Sequence, residues 1–252
     1  MTAVAKRRFG RARALVSLAI ALLRVPLWLA SPPAARRSHE RAFFVRIAKG
    51  FGLSIVQHGT PSLQDGTLFI ANHISWADIT VLLSTLDADF VAKADMLRWP
   101  LIGTLARRFN PVFVERERQQ RSHVQVDAIR ARLLSGRSVI LCPEGTTSDG
   151  ASILPFRSSL LAAADAARIV QPIVLSYLTP EGEALMPSRL REVAWIGDDD
   201  LLSGAVRVAK FKTQARVEFL RPVNHHRDRK ELAQELRQRM LEAYAAAPNR
   251  SK

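Results

Sequence analysis

Apolar positions in this chain gather in short runs, separated by segments whose polar and apolar residues recur at helical spacing. Such runs predict strands at 53–57, 89–93, 112–114, 138–142, 172–178 and 216–220, with one proline, Pro172, breaking the run at 169–175. A further run, Gly66-Thr67-Leu68-Phe69-Ile70-Ala71, passes into polar Asn72-His73-Ile74-Ser75 before helical periodicity resumes near Trp76. Helices are predicted at 122–135, where Gly136 supplies the C′ position, at 158–168, and from 229 onward. In the last of these, Asp228 and Glu231 have capping-box spacing, and Leu232, Leu236 and Met240 form an inward stripe. Strands alternating with helices predict an α/β layer architecture.

Ahead of this pattern lies a different one. The apolar stretch 14–30 is interrupted by Arg24 and Pro26, and basic residues stand on both sides of it. A spanning helix wants about 20 largely apolar residues, and the flanking charges give no net orientation. The pattern therefore predicts an interfacial or re-entrant helical anchor. A secretory signal is the rival, but Arg24 interrupts its core and no small-residue cleavage site follows. The expected organisation is an anchoring segment over 1–50, a catalytic domain over 51–246 and a flexible tail over 247–252.

Charge sharpens that division. The formal net charge is +14, and residues 1–50 hold eleven Lys/Arg against the single acid Glu40, so most of the excess lies beside the apolar stretch. That placement fits anionic membrane lipids. Nucleic acid is not expected, because neither stacking platforms nor a basic recognition module is evident. The composition, 48% hydrophobic and 24% charged, is that of a folded protein. Cys142 is the sole cysteine, so no intrachain disulfide can form, which suits a cytoplasmic setting. At the end of an apolar strand it reads as a packed thiol rather than a nucleophile. No metal is expected, since the adjacent His225 and His226 lack ligand spacing.

Chemistry concentrates in the turn after 66–71. His73 lies before the helix and Asp78 falls in its first turn. On one continuous helix their offset would turn the side chains about 140° apart. Across a strand-to-helix turn the carboxylate can instead reach back to the imidazole. That contact would fix the tautomer and stabilise an imidazolium, as in a catalytic His-Asp pair. The plainer reading is that Ser75 is the N-cap and Asp78 its capping-box acid.

Three more blocks follow in order: Asn110-Pro111-Val112-Phe113-Val114-Glu115-Arg116, then Cys142-Pro143-Glu144-Gly145-Thr146, then Val170-Gln171-Pro172-Ile173-Val174. Together with Asn72-His73 and Asp78 they resemble the glycerolipid (lysophosphatidic acid type) acyltransferase family over roughly residues 50–220. The resemblance implies that His73 is the general base toward an acceptor hydroxyl, with Asp78 as its partner. It implies that Arg116, Glu144, Gly145, Thr146 and Thr147 bind the acceptor. Lys93, in Val91-Ala92-Lys93-Ala94-Asp95, would polarise the thioester carbonyl. It further implies an α/β fold with a mixed sheet flanked by helices, a lysolipid acceptor, a donor thioester on acyl carrier protein or coenzyme A, no bound cofactor, and work at the cytoplasmic face of the inner membrane.

At one position the chain departs from the family pattern. Where the family commonly continues Pro-Glu-Gly-Thr-Arg-Ser, this chain has Thr147. A guanidinium grips phosphate through paired, charge-assisted bonds, and a hydroxyl does not. The string Pro143-Glu144-Gly145-Thr146-Thr147-Ser148-Asp149-Gly150, with Leu154-Pro155-Phe156-Arg157 and Ala194-Trp195-Ile196-Gly197-Asp198, resembles the bacterial branch that includes lyso-ornithine lipid O-acyltransferases. That branch implies an acceptor without phosphate. Arg116 and Arg157 keep lysophosphatidic acid open as the alternative.

Overall fold

The computed structural model describes residues 3–93, 103, 111–114, 122–223 and 228–247. Among the described residues seven strands form one sheet: β1 (Leu53–His58), β2 (Thr67–Ala71), β3 (Asp89–Lys93), β4 (Val112–Val114), β5 (Val139–Leu141), β6 (Ile169–Leu178) and β7 (Thr213–Phe219), in the order β1-β7-β6-β2-β5-β3-β4. All neighbours run parallel except β6 and β7. Every residue of β2 and β5 is buried, which is why those runs read as continuously apolar rather than alternating. β7, by contrast, alternates buried and half-buried positions along its whole length. The mixed α/β architecture is the one expected.

Helices flank the sheet: α1 (Ala3–Leu23), α2 (Val25–Ala30), α3 (Pro33–Gly50), α4 (Ala77–Thr85), α5 (Ser122–Leu134), α6 (Pro187–Val193), α7 (Leu201–Ala209) and α8 (Arg229–Ala246). Several expectations need correcting. The segment Ser158–Ala166 is a 3₁₀ helix rather than α-helical. β6 starts at Ile169 and runs unbroken through Pro172, which pairs with Ile70 just before the β7 ladder opens at Ile173. β7 begins at Thr213, three residues before the apolar run suggested. α6 and α7 were not anticipated at all.

The first 50 residues lie against the rest of the chain. α3 packs on α4 and β1, while α1 packs on α3 and α7. The α1–α7 approach is close enough that a Cβ on Gly10 would stand 2.1 Å from the Ala209 carbonyl oxygen. Arg13 adds a side-chain bond to the Gly50 carbonyl at 2.9 Å. The stretch Gly10–Ala30 is long and apolar enough to cross a membrane by length and composition. Arg24 divides it into α1 and α2, and α2 carries Pro26 in its first turn. Ala14, Ala21 and Trp28 are buried, whereas Leu15, Val16, Leu23, Leu27 and Leu29 are exposed.

Candidate active site

β2 ends in the middle of the sheet, and the chain leaves it through Asn72 and His73. Such carboxyl ends are where open α/β sheets present ligand-binding side chains. The His73 imidazole is 12% exposed and its Nδ1 lies 2.8 Å from Asp78 Oδ2. Asp78 itself is fully buried. Its Oδ2 also accepts the backbone N–H groups of Ile74 at 2.7 Å and Ser75 at 2.9 Å. Capping the helix and holding the histidine are thus one arrangement, not alternatives. Regular α4 begins at Ala77, one residue later than a Ser75 cap implied; the Ser75 hydroxyl accepts the Ala77 N–H at 3.2 Å and donates to the Val193 carbonyl at 2.7 Å.

The remaining Asp78 oxygen has a partner from across the sheet: the buried Tyr177 hydroxyl donates to Oδ1 at 2.6 Å. Burial first, and the Asp78 charge next, hold the Tyr177 phenol well above its ordinary pKa, so it stays a donor. With Nδ1 turned to a carboxylate, the basic lone pair of a neutral His73 is that of Nε2. The arrangement is suited to removing a proton from a hydroxyl.

Glu144 braces the turn from the neighbouring strand. Its Oε1 accepts the His73 backbone N–H at 2.6 Å and its Oε2 accepts that of Leu154 at 2.8 Å. At 3% exposure the carboxyl is pushed up to about 7, chiefly by burial, against the two N–H donors that favour its anion. Glu144 thus bonds the backbone through both oxygens and braces the histidine turn.

Other bonds fix the same turn. The Asn72 side chain takes both backbone groups of Leu175 in β6, donating at 3.0 Å and accepting at 2.7 Å. Ser148 N–H donates to the His73 carbonyl at 2.8 Å, and Trp195 N–H to that of Ile74 at 2.9 Å. The Trp195 segment is itself held by Asp199, which accepts paired bonds from Arg191 at 2.9 and 3.0 Å and from Arg207 at 2.7 and 3.5 Å. Those guanidinium bonds keep the Asp199 carboxyl far below the usual range. The motif 194–198 therefore supports the histidine turn rather than facing it as a separate site.

Gly145 sits on the same loop with φ +71°, and a Cβ there would stand 2.8 Å from Arg157 Nε. The exposed Arg157 is thereby laid along the loop next to Glu144. Thr146 is exposed and Thr147 half-buried. Lys93 closes β3, on a strand adjoining β5, but its side chain lies outside the described residues, as do Arg116, His225 and His226. Among the described residues no group of three His, Cys, Asp or Glu is placed to hold a metal. Tyr177 and the bracing role of Asn72 were missed by sequence reasoning. Tyr177 lies ninety-nine residues from Asp78 and carries no local spacing signal.

Residues 37–176 match the Acyltransferase family model, more than half of the chain. The chain belongs to the acyltransferase family. It is 37% identical over 227 residues to the lyso-ornithine lipid O-acyltransferase of Rhizobium meliloti (strain 1021), covering 85% of this chain and 76% of that one. It is 36% identical to the Brucella abortus (strain 2308) protein of the same name, covering 79% of each. The 1-acyl-sn-glycerol-3-phosphate acyltransferase of Neisseria gonorrhoeae is 32% identical over 49% of each chain. The crystal structure of the 1-acyl-sn-glycerophosphate (LPA) acyltransferase from Thermotoga maritima superposes with a TM-score of 0.67 at 18% identity, covering 96% of this chain and 95% of that one. At that identity the last match establishes the fold. The acyltransferase is an enzyme of lysolipid acylation.

Proposed function

We propose that this acyltransferase transfers a fatty acyl group from a thioester donor to the free hydroxyl of lyso-ornithine lipid. The observation that carries the chemistry is the 2.8 Å contact between His73 Nδ1 and buried Asp78. His73 Nε2 takes the proton of the acceptor hydroxyl as its oxygen attacks the thioester carbonyl, and Asp78 balances the imidazolium. The tetrahedral intermediate then expels the thiolate, breaking the C–S bond. The imidazolium returns its proton to that sulfur, leaving an ester and a free thiol. Lys93, at the end of β3, is assigned to the developing oxyanion, and Arg116 to the acceptor head group.

Acceptor choice rests on Thr147, which leaves the Glu144 loop without the guanidinium suited to a phosphomonoester, and on the named relatives that cover most of this chain. A second reading, lysophosphatidic acid, is favoured by Arg157 beside Gly145 and by the Neisseria relative. The donor is an acyl thioester of acyl carrier protein or coenzyme A. We assign the reaction to the cytoplasmic face of the inner membrane, where such thioesters are made, with exposed α1 and α2 residues in the lipid interface. The deciding experiment supplies purified enzyme with a radiolabelled acyl thioester and a panel of lysolipids in mixed micelles. Higher kcat/KM for lyso-ornithine lipid supports the proposal, and a strong preference for lysophosphatidic acid overturns it.

A further inference from the structure

Resting on the assignment of His73 and Asp78 as the reacting pair, we infer that Tyr177 is a positioning residue that sets the strength of that pair through Asp78. The carboxylate is fully buried and its two oxygens are unequally served. Oδ2 meets the imidazole and two backbone N–H groups of its own turn, whereas Oδ1 receives the Tyr177 hydroxyl at 2.6 Å. The donors on Oδ2 come from residues 73–75 and move with the turn. Tyr177 comes from β6, so it is the contact that ties the carboxylate plane to the sheet.

β6 cannot slide to relax this bond. Asn72 clamps the Leu175 backbone two residues earlier, and Tyr177 itself pairs with Ala215 of β7. The hydroxyl is therefore held where Oδ1 lies instead of following it. A hydrogen bond to a carboxylate stabilises its charged form and tempers its pull on a neighbouring proton. Tyr177 accordingly limits how tightly Asp78 holds the imidazolium, which must surrender its proton to the leaving thiolate.

Other ionisable groups meet this pair. Among the described residues they are Glu144 from the end of β5, bonded to the His73 backbone, and Tyr244 from α8, which lies near Tyr177 and also bonds the Gly150 carbonyl. Glu144 bonds the His73 backbone and Tyr244 the Gly150 carbonyl, whereas the Tyr177 hydroxyl donates to Oδ1 itself. The effect of the Tyr177 hydroxyl is thus separable from theirs.

Tyr177→Phe in the full-length enzyme should lower kcat roughly 10-fold with acceptor KM within about 2-fold. It should also move the acid limb of the kcat/KM profile up by about half a unit to one unit, the scale of one hydrogen bond. A merely structural tyrosine would lower Tm and leave that limb in place. Should the Phe variant misfold, 3-fluorotyrosine incorporation into Tyr244→Phe labels position 177 alone, because the chain has two tyrosines. The fluorinated phenol is a stronger donor, so the limb should move down relative to unlabelled Tyr244→Phe. An unmoved limb in either experiment overturns the inference. Inactive His73→Ala beside an unmoved limb retires Tyr177 alone. Wild-type turnover by His73→Ala retires the pair and this inference together.

Discussion

Glu144 accepts the backbone N–H of His73 at 2.6 Å, so a carboxylate on one strand end fixes the main chain of the residue whose side chain does the chemistry on the next. Asp78 fixes the ring of that same residue. Backbone and side chain of His73 are thus held by two different acids. The consequence is pre-organisation: the base is placed before substrate arrives, and little reorganisation is left for the reaction itself.

The bracing acid gives the stability a pH dependence of definite sign. Burial raises the Glu144 carboxyl from 4.5 to about 7, so between these values the folded chain binds more protons than the unfolded one. This contribution is fully present below about 4.5 and is lost as pH rises through about 7, a change on the order of 1–3 kcal/mol. Glu144→Gln should abolish that slope. It should also destabilise the protein at every pH, because one amide NH₂ must now face a backbone N–H of His73 or Leu154. Urea midpoints at pH 5, 6, 7 and 8 for both proteins check this, and parallel pH curves would refute it.

The pair itself separates rate from stability. His73→Ala should keep the fold near wild type while cutting turnover by roughly 10²-fold or more. Asp78→Asn should lose both. An amide presents only one oxygen, whereas Asp78 meets the imidazole, two backbone N–H groups and the Tyr177 hydroxyl. Leaving such buried partners unmatched costs about 1–3 kcal/mol. Calorimetry with single-turnover kinetics on each variant distinguishes the two roles.

Strand runs were legible where burial makes a sequence continuously apolar, as in β2 and β5, and β3 and β4 fall at the boundaries their residues suggested. The His73–Asp78 contact was legible as well, because a strand-to-helix turn between two spaced residues restricts where both can point. What stayed hidden has physical causes. α6 and α7 are short helices in a segment dense with charge, and their order comes from packing and from Asp199 gripping Arg191 and Arg207. The bracing role of Glu144 was hidden because no local pattern shows that the N–H groups of His73 and Leu154 will meet its oxygens. Tyr177 looked like one more apolar strand position, its role set by register across the sheet.

Membrane attachment can be tested without removing α1, whose contacts with α3 and α7 make truncation a folding experiment. Leu15, Val16 and Leu23 are exposed, so Leu15→Glu with Leu23→Glu should leave Tm nearly unchanged. The same double variant should bind anionic vesicles at least 10-fold more weakly, by the loss of two inserted side chains worth about 1.5–3 kcal/mol each. Vesicle co-sedimentation at low and high salt gives the readout. Salt should weaken binding of the unaltered enzyme without abolishing it, since apolar insertion is not screened. Undiminished binding by the double variant would place the contact on another surface.

Acceptor choice turns on the loop that Glu144 anchors. Thr147 is half-buried there, and the exposed Arg157 lies along Gly145 beside it. If the missing guanidinium reflects an acceptor without a phosphomonoester, Thr147→Arg should raise kcat/KM for lysophosphatidic acid relative to lyso-ornithine lipid by roughly 10-fold or more. That is the reach of one charge-assisted bond of about 1.5–3 kcal/mol. Arg157→Ala addresses the other cation. A loss confined to lysophosphatidic acid would mark Arg157 as a phosphate contact, whereas equal losses with both acceptors would mark it as a support for the loop. Taking the ratio of the two specificity constants within each variant cancels any general loss of activity, so folding damage cannot imitate a switch in preference. A Thr147→Arg ratio unchanged from wild type would remove Thr147 as the determinant and return the choice to residues elsewhere in the site.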